Sequence, residues 1–303
     1  MMAHWKHYHV PETVEEALAL LERHGGGARI VGGGTDLLLD IAQGRASAPE
    51  AMVDPTRITG LTGIGREDAY IVIGCGATHT AITRNPDIIE HGTCLAESCG
   101  VIGGPQVRNV ATLAGNIAHA MPAGDGTIGL LVLDGEVETA DVSGRKWTPL
   151  AEVFLGPGKS AIDHHRSLLT RMRFRPTSER EGSAFFRVMR PQGVALPMIS
   201  MAARLQLDGA GTIVSARVTV APAGPVPGLS EEAAEKIVGR PAGRETFDAA
   251  TQAALDALSL RDSKYRASSA YRKEMVRTQL PKVLAVAAER AAGARIVPWG
   301  EGK

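Results

Sequence analysis

The 303-residue sequence has little cysteine, no long apolar run and no excess charge of either sign. Three cysteines cannot form a disulfide framework, and an iron–sulfur cluster held by one chain normally needs four thiolates. The longest apolar runs, such as GLLVLDG, are far too short to cross a bilayer, and residues 1–30 lack a signal-peptide pattern. We therefore expect reduced, buried thiols at Cys75, Cys94 and Cys99, and a cytoplasmic protein without a membrane span.

Charge and glycine content narrow the class further. The 33 basic and 33 acidic residues balance, which argues against a nucleic-acid-binding surface. Glycine is abundant: its 35 residues are roughly 12% of the chain, against about 7% in ordinary proteins. The length favours two domains, and the glycines direct attention to the turns.

The N-terminal part predicts a helix, a strand, a tight turn and a second helix. Thr13 and Glu16 match a capping box before a run with helical apolar spacing, and Gly25 ends that run. The run ARIV then predicts a strand, three glycines predict a turn, and Thr35 or Asp36 caps a short helix.

Further along the chain, YIVIG at 70–74 predicts a strand, and NPDIIEHGTCLAESCG predicts one helix. Residues 103–126 are rich in Gly, Pro and Asn and predict a long ordered loop, a kind of segment that is usually functional. The run GLLVLDGEVETAD resumes strand character, with a hairpin turn at Asp134-Gly135.

The pattern changes from about Ser178. SAFFRVMR, LPMISMAARLQLDG and TIVSARVTVAP predict three strands of an antiparallel sheet. Helices follow at about 230–239, 246–258 and 265–291. We place a domain boundary near residue 177 and find no internal repeats.

The stretch RIVGGGTDLLLDIAQG raises the question of what its glycines hold. Without Cβ atoms, residues 31–34 can present backbone N–H groups at a helix N-terminus, which suits a phosphate or pyrophosphate. A simple tight turn explains the same residues equally well. No Lys-Ser/Thr pair follows, so a Walker A loop is excluded, and GGGTDL does not fit the dinucleotide fingerprint Gly-x-Gly-x-x-Gly.

A second loop, GGPQVRNVATLAGNIAHAMPAGD, offers complementary chemistry. The small residues Ala111, Ala114 and Gly115 permit close backbone approach. Thr112 and Asn116 supply neutral donors and acceptors, and the carboxylate of Asp125 suits ribose hydroxyls. Together the two loops predict a site that grips an extended dinucleotide.

The segments VGGGTDLLLDI, VDPTRITGLTGI, IVIGCGATHTAI, PQVRNVATLAGNIAHAMPAGD and SKYRASSAYRKEMV occur in a characteristic order and spacing. In these, nearly the whole chain resembles the FAD-binding medium subunits of molybdenum hydroxylases, the xanthine dehydrogenase and carbon monoxide dehydrogenase family. The resemblance implies an α+β fold. An FAD-binding domain of the vanillyl-alcohol oxidase (PCMH) type is expected over 1–177, in two α/β subdomains at about 1–58 and 59–177. A smaller C-terminal domain with a three-stranded antiparallel sheet and helices is expected over 178–303.

The resemblance also implies residue roles. The pyrophosphate cradle is expected from the first loop, Ile30, Val31, Gly32, Gly33, Gly34, Thr35, Asp36 and Leu37, completed by Ala111, Thr112, Ala114, Gly115 and Asn116. Asp125 is expected to hold the ribose or ribityl region. Ile102 and Leu168 match apolar positions near the isoalloxazine or adenine, and Arg187 and Arg190 match basic positions near the flavin edge. Thr78 and His119 complete the set of expected cofactor contacts.

Several residues depart from the family pattern or have simpler interpretations. Gly32 replaces Ala and Ala114 replaces Gly, both sterically mild, whereas Val194-Ala195 stand where the family often has an acidic residue followed by an aromatic or branched apolar one. Instead of contacting the cofactor, His119 could be a loop histidine that is hydrogen-bonded to the backbone. Arg187 and Arg190 could be strand residues that form salt bridges. The cluster of His4, His7 and His9 lacks acidic or cysteine neighbours, so surface histidines are favoured over a metal site.

The implied function is electron transfer. FAD accepts electrons from iron–sulfur clusters of a small partner subunit, which received them from a large molybdopterin subunit, in a heterotrimer expected to be doubled by two-fold symmetry. A self-sufficient FAD-dependent oxidoreductase of the same fold is the main alternative, and an assembly module that has lost its flavin is a third. The sequence shows no nucleophile–base pair, and we expect no metal bound to this chain.

Overall fold

The computed structural model describes residues 5–190, 196–264 and 266–296. The elements of the first unit are β1 (His7–His9), α1 (Val14–His24), β2 (Ala28–Ile30), α2 (Leu37–Ala42) and β3 (Ala51–Val53). Its three strands form a parallel sheet in the order β1-β3-β2, and α1 packs against β2 and β3. The predicted helix, strand, turn and helix are confirmed in this order.

The capping of α1 follows the prediction with one difference. Thr13 Oγ1 accepts a hydrogen bond from Glu16 N at 3.1 Å, as a capping box requires. The Glu16 carboxylate, however, accepts from Glu12 N rather than from the N–H of Thr13. Gly25 ends the helix with φ +53°, a conformation that favours glycine.

The second unit begins with a strand pair and a series of helices. These are β4 (Ile64–Glu67), β5 (Tyr70–Gly74), α3 (His79–Arg84), α4 (Pro86–His91), α5 (Thr93–Gly100), α6 (Pro105–Arg108), α7 (Leu113–Ala118) and α8 (Asp125–Val132). The prediction of a single helix over NPDIIEHGTCLAESCG is wrong, because Gly92 leaves the helical conformation between α4 and α5. A Cβ at Gly92 would lie 2.7 Å from the Phe174 ring, so the break lets this backbone pack tightly.

The region predicted as one long loop, 103–126, instead contains α6, α7 and the start of α8. The predicted hairpin at Asp134-Gly135 is also wrong. Asp134 has φ +59° and Gly135 N donates to Leu130 O, so this turn joins helix α8 to the next strand.

That strand enters a five-stranded antiparallel sheet in the order β4-β5-β10-β6-β7. The remaining strands of this unit are β6 (Glu136–Asp141), β7 (Gly144–Pro149), the small pair β8 (Phe154–Gly156) and β9 (Lys159–Ser160), and β10 (Leu168–Phe174). The hairpin actually present joins β6 to β7, with Asp141 opposite Gly144. Helices α5, α7 and α8 supply buried side chains to the same core as this sheet.

The last unit matches the sequence prediction closely. Strands β11 (Glu181–Val188), β12 (Ile199–Leu207) and β13 (Ile213–Ala221) form an antiparallel sheet in chain order. Helices α9 (Glu231–Ile237), α10 (Arg244–Ala257) and α11 (Ser269–Ala291) follow, and α11 packs along β11 and β12. Apolar residues of these elements form a second core cluster.

The three cysteines are buried in the described part of the chain, as the sequence predicts. Cys75, Cys94 and Cys99 are buried free thiols, and burial raises the pKa of Cys75 and of Cys94 to about 12. None of the described helices combines the length and apolar character needed to cross a bilayer.

Candidate functional site

The glycine loop lies between the end of β2 and the start of α2. Gly34 has φ +68°, which an L side chain rarely adopts, so this position requires glycine. In the described structure, the N–H groups of the six consecutive residues Gly32 to Leu37 donate to no other residue. Asp36 occupies the N-cap position of α2, but its side chain makes no capping hydrogen bond. The loop therefore presents a row of unused donors, as an anion site needs.

Gly33 is constrained by the second loop of the chain. A Cβ built on Gly33 would lie 2.5 Å from the carbonyl carbon of Val110 and 2.6 Å from Ala111 Cα. The preceding residue, Gly32, is less tightly packed, because a Cβ there would lie 3.0 Å from the Thr112 hydroxyl. The two predicted loops thus touch through their backbones, and Gly33 makes that contact possible.

The second loop is itself fixed by a third segment. Thr78 and Thr112 form an isolated antiparallel bridge, and His79 N donates to Ala111 O at 3.0 Å. The Thr112 hydroxyl then accepts from Gly115 N at 3.0 Å and caps α7. Residues 110–112 therefore lie between the glycine loop and the start of α3.

Asn116 connects α7 to the start of α8. Its Oδ1 accepts from both the N–H and the hydroxyl of Thr127, each at 3.0 Å. The side-chain amide oxygen is thus occupied within the chain. The Asn116 NH₂ group is the part of this side chain that suits an acceptor on a ligand.

Asp125 links the predicted cofactor site to the C-terminal sheet. It is 3% exposed, and its two carboxylate oxygens accept from Arg187 Nη1 and Ser200 Oγ, each at 2.7 Å. Burial raises the pKa of Asp125, whereas the charge of Arg187 and the hydrogen bonds from Ser200 and Arg187 lower it. The expected ribose contact of Asp125 stays a prediction, and the structure adds that strands β11 and β12 hold this carboxylate.

The other predicted positions fall at varied depths. Arg108 Nη1 donates to the carbonyls of Ile102 and Gly103 at 3.1 and 2.9 Å, which fixes the turn carrying Ile102. Leu168 is 1% exposed, in the core beside β6.

His119 Nε2 lies 3.9 Å from Asp36 Oδ1, so it brings α7 and the glycine loop together. Arg190 is exposed just after β11, and Val194-Ala195 lie outside the described residues.

A buried histidine and a buried cysteine are in contact near this site. His79 Nδ1 lies 3.4 Å from Cys99 Sγ, and both residues are buried. Burial, followed by the charge of Arg108, lowers the pKa of His79 to about 4, and burial also raises the pKa of the Cys99 thiol. At neutral pH both groups are therefore uncharged.

The N-terminal histidines do not form a metal centre in the described part of the chain. No group of three or more His, Cys, Asp or Glu residues there is arranged to hold a metal ion. The rings of His7, His9 and His24 lie 5.2 to 5.9 Å apart, and His9 Nε2 is 3.2 Å from His24 Nε2. His4 lies outside the described residues.

Sequence reasoning missed three residues that shape the site: Ser200, Thr127 and Arg108. Ser200 contacts Asp125 across 75 positions of sequence, and an isolated serine in an apolar strand gives no signal of such a contact. Thr127 could have been found, because it lies two residues after Asp125 in the first turn of α8. Arg108 is within the second loop, but only the fold shows that it bonds back to Ile102.

Comparison with known proteins agrees with this geometry. The family model described as the FAD binding domain in molybdopterin dehydrogenase matches residues 3–175. The model for the CO dehydrogenase flavoprotein C-terminal domain matches residues 184–287. The first range contains β1–β10 and α1–α8, and the second contains β12, β13, α9 and α10 with most of β11 and α11.

Individual relatives cover nearly the whole chain. A putative xanthine dehydrogenase FAD-binding subunit of Escherichia coli is 29% identical over 288 residues, 94% of this chain and 97% of that protein. The 6-hydroxypseudooxynicotine dehydrogenase complex subunit alpha of Paenarthrobacter nicotinovorans is 30% identical over 284 residues, 94% of this chain and 95% of that protein.

A solved structure of carbon monoxide dehydrogenase from Hydrogenophaga pseudoflava superposes with a TM-score of 0.89 at 26% identity. The match covers 96% of this chain and 99% of that one. The predicted α+β fold, with its FAD-binding domain and three-stranded C-terminal sheet, is confirmed. The chain is an FAD-binding oxidoreductase subunit, and it belongs to the family of FAD-binding domains of molybdopterin dehydrogenases.

Proposed function

We propose that this chain carries the FAD that connects iron–sulfur clusters in a small partner subunit to an external electron acceptor. A large molybdopterin subunit is the source of the electrons, and the assembly is a heterotrimer doubled by two-fold symmetry. The observation that carries the proposal is the contact of the two loops at Gly33, beside six unused N–H groups. Relatives whose names describe FAD-binding subunits and a subunit of a dehydrogenase complex support the partner scheme.

The residues of the two loops fit a pyrophosphate. N–H donors that lack partners in the chain attract phosphate oxygens, and glycine lets the ligand approach the backbone closely. We assign the cradle to Ile30, Val31, Gly32, Gly33, Gly34, Thr35, Asp36 and Leu37, with Ala111, Thr112, Ala114, Gly115 and Asn116 completing it.

The remaining assignments concern the sugar and ring portions. Asp125, held by Arg187 and Ser200, is assigned to the ribose or ribityl hydroxyls. Thr78, Ile102, His119, Leu168 and Arg187 are assigned to the surroundings of the flavin and adenine. When bound, FAD supplies the hydride and one-electron chemistry, and this chain's residues bind and orient it.

We also propose the division into domains at 1–177 and 178–303, with subdomains at about 1–58 and 59–177. The separate parallel and antiparallel sheets in residues 7–174 support the subdomains. The second core cluster, built from β11–β13 and α9–α11, supports the C-terminal domain.

Purification with and without partners tests the function. Alone, the chain should bind about one FAD, contain no molybdenum or iron above background and oxidise no heterocycle, aldehyde or carbon monoxide. Co-expressed with an iron–sulfur and a molybdopterin subunit, its flavin should bleach anaerobically when substrate reaches the molybdenum chain. Robust substrate turnover by the isolated chain would instead establish the self-sufficient oxidoreductase.

A further inference from the structure

A basic segment at the start of α11 contains none of the residues assigned above to FAD. Although the whole chain has a formal net charge of zero, residues 261–273 (RDSKYRASSAYRK) contain five Lys or Arg residues and one acidic residue. Ser269 N in the first turn of α11 donates to Asp262 Oδ1 at 2.6 Å, which places the residues around Arg261 beside the start of this helix. Burial and then the charge of Arg261 lower the pKa of Arg266. This local excess of positive charge attracts anions.

Arg272 is the unusual member of the cluster because it is buried and forms no salt bridge with any described residue. It is 1% exposed, and its Nε has no hydrogen-bond partner in the described structure. Among the described residues, its guanidinium donates one hydrogen bond, from Nη1 to Pro222 O at 3.4 Å, although a guanidinium has five N–H donors. Burial, then the charges of Arg266 and Arg261, lower the pKa of Arg272. A buried charge in this state opposes folding unless an anion compensates it.

The nearby acidic group only partly compensates this charge. Asp262 is close enough to raise the pKa of Arg272, but its Oδ1 accepts from Ser269 N at 2.6 Å, at the first turn of α11. Within the described residues, no carboxylate comes within ion-pair distance of Arg261, Arg266 or Arg272. The N-terminus of this 23-residue helix adds partial positive charge to the same place.

We propose that Arg261, Arg266 and Arg272 form an oxyanion-binding site at the start of α11. Its ligand is a phosphate or carboxylate group, either free in solution or presented by a side chain of another subunit. Arg261 is exposed, Arg266 is half-buried and Arg272 is buried, so the cluster leads inward from the surface. The planar guanidinium of Arg272 would donate two parallel hydrogen bonds to such a group.

The test uses the full chain saturated with FAD, so that the glycine loop is not available to the probe. Inorganic phosphate and acetate are titrated by calorimetry and by thermal unfolding, against sodium chloride at matched ionic strength. We expect saturable binding of phosphate and a rise in the unfolding temperature beyond that in chloride. Arg272→Met should weaken phosphate binding roughly 10- to 150-fold, the effect of losing charge-assisted hydrogen bonds.

Two further variants make the result specific. Arg266→Gln, at a half-buried position, should also weaken phosphate binding. It replaces Arg272→Met in the test if that variant does not fold. Arg277→Met is the matched control, because Arg277 is exposed on the same helix and pairs with Glu274. Bound flavin, followed by its absorbance, should be unchanged in all three, which separates this site from the FAD site.

The outcomes decide both the site and its ligand. Stabilisation by phosphate and acetate no greater than by chloride, or equal affinities in the wild type, Arg272→Met and Arg266→Gln, would overturn the proposal. If the isolated chain binds phosphate, the titration is repeated on the complex with partner subunits. Retained binding there identifies a free anion as the ligand, and loss of binding identifies a carboxylate of a partner subunit.

Discussion

Replacing Gly33 by alanine tests the contact on which the two FAD loops depend. Position 33 has no unusual backbone angle, so the substitution adds only one methyl group. That methyl would lie 2.6 Å from Ala111 Cα, about 0.8 Å short of the 3.4 Å at which ordinary van der Waals contact begins. Neither partner is a side chain that can rotate away, so the glycine loop and residues 110–111 must move apart.

The cost follows from this displacement. Forcing a methyl group into a fully packed site typically costs about 1–3 kcal/mol. If the whole of that energy destabilises the loop arrangement that binds FAD, the FAD dissociation constant rises roughly 5- to 150-fold. If the mutation instead destabilises the folded chain, part of this energy is measured as a lower unfolding temperature of the FAD-free chain.

Flavin fluorescence titration and thermal unfolding measure the two effects, with two matched glycine variants as controls. Gly32→Ala places its methyl 3.0 Å from the movable Thr112 hydroxyl, and Gly26→Ala meets nothing within 4 Å. We expect Gly26→Ala to behave as wild type and Gly32→Ala to have a smaller effect than Gly33→Ala. A wild-type FAD dissociation constant for Gly33→Ala would refute the inferred packing of the two loops.

Three other predictions use buried charged and titratable groups. Asp125→Ala should weaken FAD binding roughly 5- to 150-fold by titration, and should lower stability because the ion pair between Asp125 and Arg187 is lost. Glu97→Gln should cost about 3–5 kcal/mol in urea unfolding, since it removes the charge paired with Arg290 at 2.6 Å; an unchanged midpoint would contradict this. Because burial lowers the pKa of His79 from 6.5 to about 4, the unfolded chain takes up this proton first as the pH falls. Stability should therefore be lost between about pH 6.5 and 4, by up to about 3 kcal/mol, and His79→Gln should flatten that part of the profile.

Local sequence signals predicted the structure correctly where a residue type strongly favours one conformation. Thr13, the glycines at 25 and 34 and the alternating strands after Ser178 all behave as predicted. The apolar run GLLVLDG did not, because a short apolar run fits a buried helix as well as a buried strand. The structure settles this ambiguity by packing: Gly129 of α8 lies against Leu95 of α5, where a strand would leave the helix without a partner.

The site was predictable in its segments but not in its internal contacts. The glycine loop and the second loop each carry a recognisable composition, and the resemblance paired them. Gly33 lies against the backbone of Val110, where a side chain would not fit. This contact depends on how β2 and α7 are placed in three dimensions. No periodicity or spacing encodes a contact between residues nearly 80 positions apart.

The buried ion pairs bear on how the flavin site is held. Glu97 on α5 accepts from Arg290 Nη2 and from Phe185 N, and Asp125 on α8 accepts from Arg187 and Ser200. Both carboxylates belong to the proposed FAD-binding domain, and all their partners belong to the proposed C-terminal domain. A buried carboxylate without its partners is unstable, so neither helix can keep this position when the C-terminal sheet is displaced. Since α8 begins at Asp125 and is bonded to Asn116 through Thr127, the C-terminal sheet acts on the geometry of the second loop, which we propose binds FAD.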